Sequence, residues 1–140
     1  MIMLMLAGFT LIEAGAVRKK NQKFLITKNF MVLVLSFLGW WLSGYALAYG
    51  DVKNFIGTEG GYAVTREFDD LESSEGVLYL HFLREYAYCA ATCVIFTIPM
   101  GERCQLAGVG IAALLMSMFL YPIIVAQTWA ENGWLWDRDY

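Results

Sequence analysis

Four apolar stretches, residues 1–17, 30–50, 77–100 and 106–129, are separated by clusters of charge, and that alternation limits the folds open to the chain. An α-helix rises 1.5 Å per residue, so about 20 residues cross a hydrocarbon core of roughly 30 Å. The last three stretches reach that length. The first reaches only about 25 Å and carries Glu13 near its end. It has no basic n-region and no small-residue cleavage site, so it reads as a shortened membrane helix and not as a removable leader. The mean hydropathy of +0.50, with 59% hydrophobic and 16% charged residues, is too apolar for an ordinary soluble domain. The expectation is an all-α integral membrane protein with four transmembrane helices, in a single membrane domain over residues 1–140.

Charge between the stretches gives a topology. Arg18, Lys19, Lys20, Lys23 and Lys28 have no acid among them, which places loop 18–29 on the cytoplasmic-equivalent side. The segment 51–76 carries Asp51, Glu59, Glu67, Asp69, Asp70, Glu72 and Glu75 against only Lys53 and Arg66, and belongs on the opposite side with both termini. Trp40, Trp41, Tyr45 and Tyr49 in the second stretch, with Trp129, Trp134, Trp136 and Tyr140 after the fourth, fit an interfacial aromatic belt. Small residues (Ala7, Gly8, Ala14, Gly15; Gly39, Ser43, Gly44; Ala87, Ala90, Ala91) predict close helix approach, which drives packing in lipid. Pro99 and Pro122 should kink or end their helices.

Several functions are excluded or disfavoured. Ten Lys+Arg against 13 Asp+Glu leave no basic surplus for nucleic acid. Cys89, Cys93 and Cys104 have no ligand partners at metal-binding intervals, so they read as small packing residues, and no metal or other cofactor is expected. Gly57, Gly60 and Gly61 lack the Lys-Ser/Thr of a phosphate loop, and His81 has no catalytic partner at a useful spacing. No catalytic residue is identified and no enzyme is expected. Arg84, Glu85 and Glu13 are charges inside apolar stretches and each requires a partner.

The string from Ala7 through Glu13 to Asn21 resembles the first-helix exit of the ammonium transporter (Amt/Mep/Rh) family. Gly44 to Gly50, Gly101-Glu102-Arg103-Cys104, Tyr121-Pro122 and Trp129 to Leu135 keep the family's order. The resemblance covers nearly the whole chain but only the opening third of a transporter with about eleven spans. It implies that both pore histidines lie on helices this chain lacks, because the only histidine is His81.

Counting back from Glu102-Arg103, the resemblance places Tyr88 at the inner gate phenylalanine and Trp129 at the cation-binding aromatic of the outer mouth. Arg84, four residues before Tyr88, falls at the outer gate phenylalanine. Phe82 and Tyr86 offer an alternative aromatic pair if the register is shifted. Glu13, Glu102 and Arg103 are structural motif residues by the same resemblance. Two like charges 4 Å apart cost about 4 kcal/mol at an effective dielectric of 20, more than the about 0.5–2 kcal/mol of a cation–π contact. By distance along the helices Arg84 should miss Glu13, and so find its partner in Glu85, at the interface, or on another polypeptide. The resulting expectation is a non-conducting, ammonium-transporter-like accessory subunit. It would be embedded in the lipid bilayer among other membrane subunits, for instance in a mitochondrial inner-membrane complex. The alternative is one piece of a split ammonium channel completed by a second polypeptide, the only setting in which it would handle ammonium.

Overall fold

The computed structural model describes residues 1–49, 75–101 and 104–129, and these form helices with no strand among the described residues. Helix α1 (Ile2–Ala16) ends where Val17 turns to extended backbone, and a 3₁₀ turn (Lys19–Asn21) leads into α2 (Gln22–Gly39). A π-turn (Trp40–Gly44) joins α2 to α3 (Tyr45–Tyr49), making one helical rod. Helix α4 (Glu75–Thr97) gives way to a 3₁₀ turn at Ile98–Met100, where Pro99 lies. Helix α5 (Leu106–Leu115), a second π-turn (Met116–Leu120) and α6 (Tyr121–Thr128) form the last rod.

Every apolar stretch thus falls on a helix. Two of them, Lys19–Tyr49 with 31 residues and Leu106–Thr128 with 23, are long and apolar enough to cross a bilayer. Helix α1, with 15 residues, is about 22 Å long. Helix α4 has the length, but His81, Arg84 and Glu85 dilute its apolar character. The acidic segment 51–74, the tail from residue 130, and Glu102 with Arg103 lie outside the described residues.

The basic stretch expected as a connection is helical from Lys19, and its last cation is not solvated. Lys28 is fully buried and ion-paired with Glu13 Oε1 of α1, and its Nζ also donates to the Thr97 carbonyl at 3.1 Å. Asn29 Nδ2 donates to Glu13 Oε2 at 2.8 Å and lies 3.3 Å from Thr10 Oγ1. Gln22 Nε2 donates to the Ala14 carbonyl at 3.1 Å, satisfying one of the acceptors that the end of α1 leaves open. Gly101 is required beside this cluster, since a Cβ there would stand 2.9 Å from Glu13 Oε1 and 3.3 Å from the Ile98 carbonyl.

The second and fourth rods cross at their two π-turns. Each turn is closed by a backbone bond five residues long, from Tyr45 N–H to the Trp40 carbonyl and from Tyr121 N–H to the Met116 carbonyl. Pro122 cannot donate to the carbonyl four residues back, that of Met118, and Ser43 Oγ stands 3.5 Å from that same oxygen. At the crossing a Cβ on Gly39 would lie 2.1 Å from Ser117 Oγ, and one on Gly44 would lie 2.8 Å from both the Ser117 carbonyl and the Trp40 ring. The small face of α4 is used as expected, with Ala87, Ala90 and Ala91 buried and Cys89 and Cys93 fully so as free thiols. Gly8 and Gly15 differ from expectation: nothing lies within 4 Å of a Cβ at either.

Gly44→Ala is therefore expected to destabilise the helix crossing by about 1–3 kcal/mol, because backbone and an indole must move. Gly8→Ala should instead stabilise by up to about 1 kcal/mol through helix propensity. Thermal unfolding in detergent would show the two opposite shifts. Lys28→Met leaves a buried carboxylate without its cation and should cost about 3–5 kcal/mol. Adding Glu13→Gln should recover part of that loss, measured as a double-mutant cycle.

Candidate functional site

On a helix, positions three, four and seven apart share a face. Along α4 this groups His81, Arg84 and Glu85, Tyr88, Ala91 and Thr92, and Ile95, all of which line one cavity of about 550 Å³. The opposite wall is built by Tyr121, Val125 and Trp129 at and beyond α6, and Tyr49 at the end of α3 stands beside His81.

Arg84, Tyr88 and Trp129, singled out in the sequence by resemblance, are thus brought to a single cavity. Tyr88 is half-exposed and Trp129 is 70% exposed, so their ring faces are available. Arg84 takes its partner from its own helix: Nε donates to Glu85 Oε1 at 3.0 Å. The two side chains differ in access, with 57% of Arg84 exposed and only 12% of Glu85. Tyr49 lines the same cavity as Glu85. Glu13 and Arg84 each have other partners, in keeping with the expected separation between them.

Phe82 and Tyr86 do not line this cavity. They are buried against Phe37, with ring centroids 6.3 and 5.0 Å away, and the Tyr86 hydroxyl donates to the Leu33 carbonyl at 3.0 Å. Glu13 lies in the Lys28 cluster, and the structural residues Glu102 and Arg103 are outside the described residues. Tyr49, read from the sequence as a belt residue, and His81, read there as having no catalytic partner, both line the cavity. The His81 ring meets Tyr49 edge-on at 4.9 Å, and its Nδ1 is buried with no protein partner. The helical spacing from His81 to Ile95 was the available signal for grouping these residues.

Chemically, exposed aromatic faces hold a cation through the ring quadrupole, and an arginine offers a planar set of donors to an anion. Both are present here. No group of three or more His, Cys, Asp or Glu side chains able to hold a metal occurs among the described residues.

The sequence profile of the Ammonium Transporter Family matches residues 1–138. The chain is 30% identical to ammonium transporter 3 of Dictyostelium discoideum over 139 residues, covering 98% of this chain and 30% of the relative. It is 30% identical to ammonium transporter 1 member 3 of Solanum lycopersicum, covering 96% of this chain and 28% of that protein. With ammonium transporter Amt1 of Archaeoglobus fulgidus the identity is 29%, over 96% of this chain and 33% of the relative. The chain therefore spans between about a quarter and a third of the length of these curated relatives. No solved structure matches it at a significant level. A profile that covers all but the last two residues decides the matter: this chain belongs to the ammonium transporter family.

Proposed function

We propose that the chain is a non-conducting ammonium-transporter-like membrane protein that serves as an accessory structural subunit of a larger membrane complex. The observation that carries this reading is the Arg84–Glu85 pair inside the cavity that also holds Tyr88 and Trp129. A conducting pore needs a cation that enters and leaves. Here the cavity that the aromatic side chains line already holds a cation, and that cation is tethered to the helix.

An ammonium ion 4 Å from the guanidinium would meet about 4 kcal/mol of repulsion at an effective dielectric of 20. Glu85 offsets part of this, but its carboxylate already accepts from Arg84 Nε. A single cation–π contact of about 0.5–2 kcal/mol is smaller than the bare repulsion, so the guanidinium disfavours a cation at this place in the cavity. Large apolar side chains on the outside, among them Leu4, Leu11, Phe30, Ile111, Leu120 and Ile124, suit embedding in lipid or against other membrane helices. The accessory role does not rest on Arg84 seeking a partner elsewhere, since Glu85 supplies one.

Expressed alone in cells lacking their own ammonium transporters, the chain should give no ammonium-dependent growth, and affinity capture from native membranes should recover unrelated membrane subunits. Growth rescue by the wild-type chain would refute the non-conducting reading. Recovery of a complementary transporter polypeptide, with methylammonium uptake by the reconstituted pair, would instead identify one piece of a split channel. In that pair Arg84→Phe should raise uptake at least about tenfold, the factor that corresponds to 1.4 kcal/mol.

A further inference from the structure

We propose that the cavity between α4 and α6 is a seat for one zwitterionic phospholipid of the phosphatidylcholine type. The inference goes beyond the accessory role and requires only that the chain be embedded in lipid. Its first support is the sorting of groups along the cavity. Tyr49, His81, Arg84 and Glu85 lie at the end where α3 stops, whereas Ala91, Ile95 and Thr92, whose hydroxyl donates to the Tyr88 carbonyl, line the far end of the α4 face. The helix rises about 21 Å from His81 to Ile95 and about 9 Å from Glu85 to Ala91, so the face runs from head-group level into the hydrocarbon of one leaflet, about 15 Å deep.

The second support is which charge is accessible. Glu85 is nearly covered, while Arg84 is more than half exposed with only Nε engaged by the carboxylate. The terminal edge of a guanidinium is a fork that fits a phosphate group. His81 Nδ1, buried and unpartnered in the same cavity wall, gives a further polar contact point.

The third support is the pair of exposed ring faces on Tyr88 and Trp129. Quaternary ammonium groups are held by aromatic faces. Arg84 and Glu85 together carry no net charge, which matches a head group that is itself neutral overall: phosphate to the guanidinium, choline to the rings. A singly anionic head group would use Arg84 but leave the aromatic faces without a cation. A volume of about 550 Å³ holds the head group and the upper part of one acyl chain, within the about 300–1,000 Å³ of ordinary ligand sites.

The test uses the full chain purified in mild detergent and incubated with equal amounts of phosphatidylcholine, phosphatidylglycerol and diacylglycerol of identical acyl composition. Retained lipid is counted by native mass spectrometry. One phosphatidylcholine per chain is expected, favoured at least about fivefold over phosphatidylglycerol and about tenfold over diacylglycerol, as loss of one cation–π or one charged contact implies. Arg84→Met should lower phosphatidylcholine retention about tenfold and Trp129→Leu about threefold, with partial recovery in Arg84→Lys. Phe30→Leu, on an exposed face of α2 away from the cavity, should leave retention unchanged. Equal retention of the three lipids by the wild-type chain, or a preference for phosphatidylglycerol, would overturn the proposal even if no variant folds. So would full retention in both variants with wild-type helical content. The readout is lipid and not ammonium, so its failure leaves the transport result standing on its own.

Discussion

A carboxylate and an ammonium group withdrawn from water persist only if each is matched, and Glu13 with Lys28 is the pairing on which the other helices are aligned. Lipid exerts little drive to bring apolar helices together, so polar contacts and close fit must set their positions. Lys28 fixes α2 against α1 through the carboxylate and against α4 through the Thr97 carbonyl. From there the two long helices run antiparallel in a steady register: Tyr86 reaches the Leu33 carbonyl, and Phe82 and Tyr86 close on Phe37. With that face of α4 committed to α2, the face from His81 to Ile95 is turned toward α6. The cavity is a consequence of where the ion pair holds α4.

The opposite wall is placed by a different device. A π-turn adds one residue to a helical turn and rotates everything after it, and such turns are often found at functional positions. Gly39 and Gly44 let the second rod touch the fourth at Ser117, and the π-turn before Pro122 lies at this contact. Trp40 then fills the space beneath, 5.6 Å from the Tyr121 ring and 6.0 Å from that of Tyr45. Tyr121, Val125 and Trp129, spaced by four, consequently line the cavity together. The glycine pair therefore acts on the site without touching it.

Much of this was legible from residue types. Apolar runs bounded by charge marked all four helices, and Gly39, Ser43, Gly44 and the alanines of α4 marked the faces that meet. The family resemblance, and not residue type, singled out Arg84, Tyr88 and Trp129, which line one cavity, and Glu85 was among the partners foreseen for Arg84. Lys28 was not legible, because a lysine at the end of a basic run has the pattern of a solvated loop; only its distance to Glu13 across two helices reveals the pair. The π-turns leave no signature beyond glycine and proline nearby. Gly8 and Gly15 show the converse limit, since small residues permit close approach without requiring it. That Tyr49 and His81 line the cavity was not legible, because an interfacial residue and a cavity residue differ only in what stands opposite.

The contact between Arg84 and Glu85 determines which charge the cavity presents to a ligand. Adjacent residues on a helix point about 100° apart, so their side chains cannot meet in a parallel, two-pronged pairing. The structure shows the contact that remains possible, a bond from Nε alone, with the carboxylate largely covered and the arginine side chain left more than half exposed. Such a pair cancels charge at a distance while presenting donors at close range. A mobile ammonium ion approaching the rings meets those donors and is repelled, whereas a phosphate is attracted to them. An exposed arginine thus sets an anion preference on the accessible surface of the cavity, while Tyr88 and Trp129 keep the capacity of aromatic rings for a cation. A molecule carrying both signs, a fixed distance apart, is the kind of occupant that arrangement can satisfy.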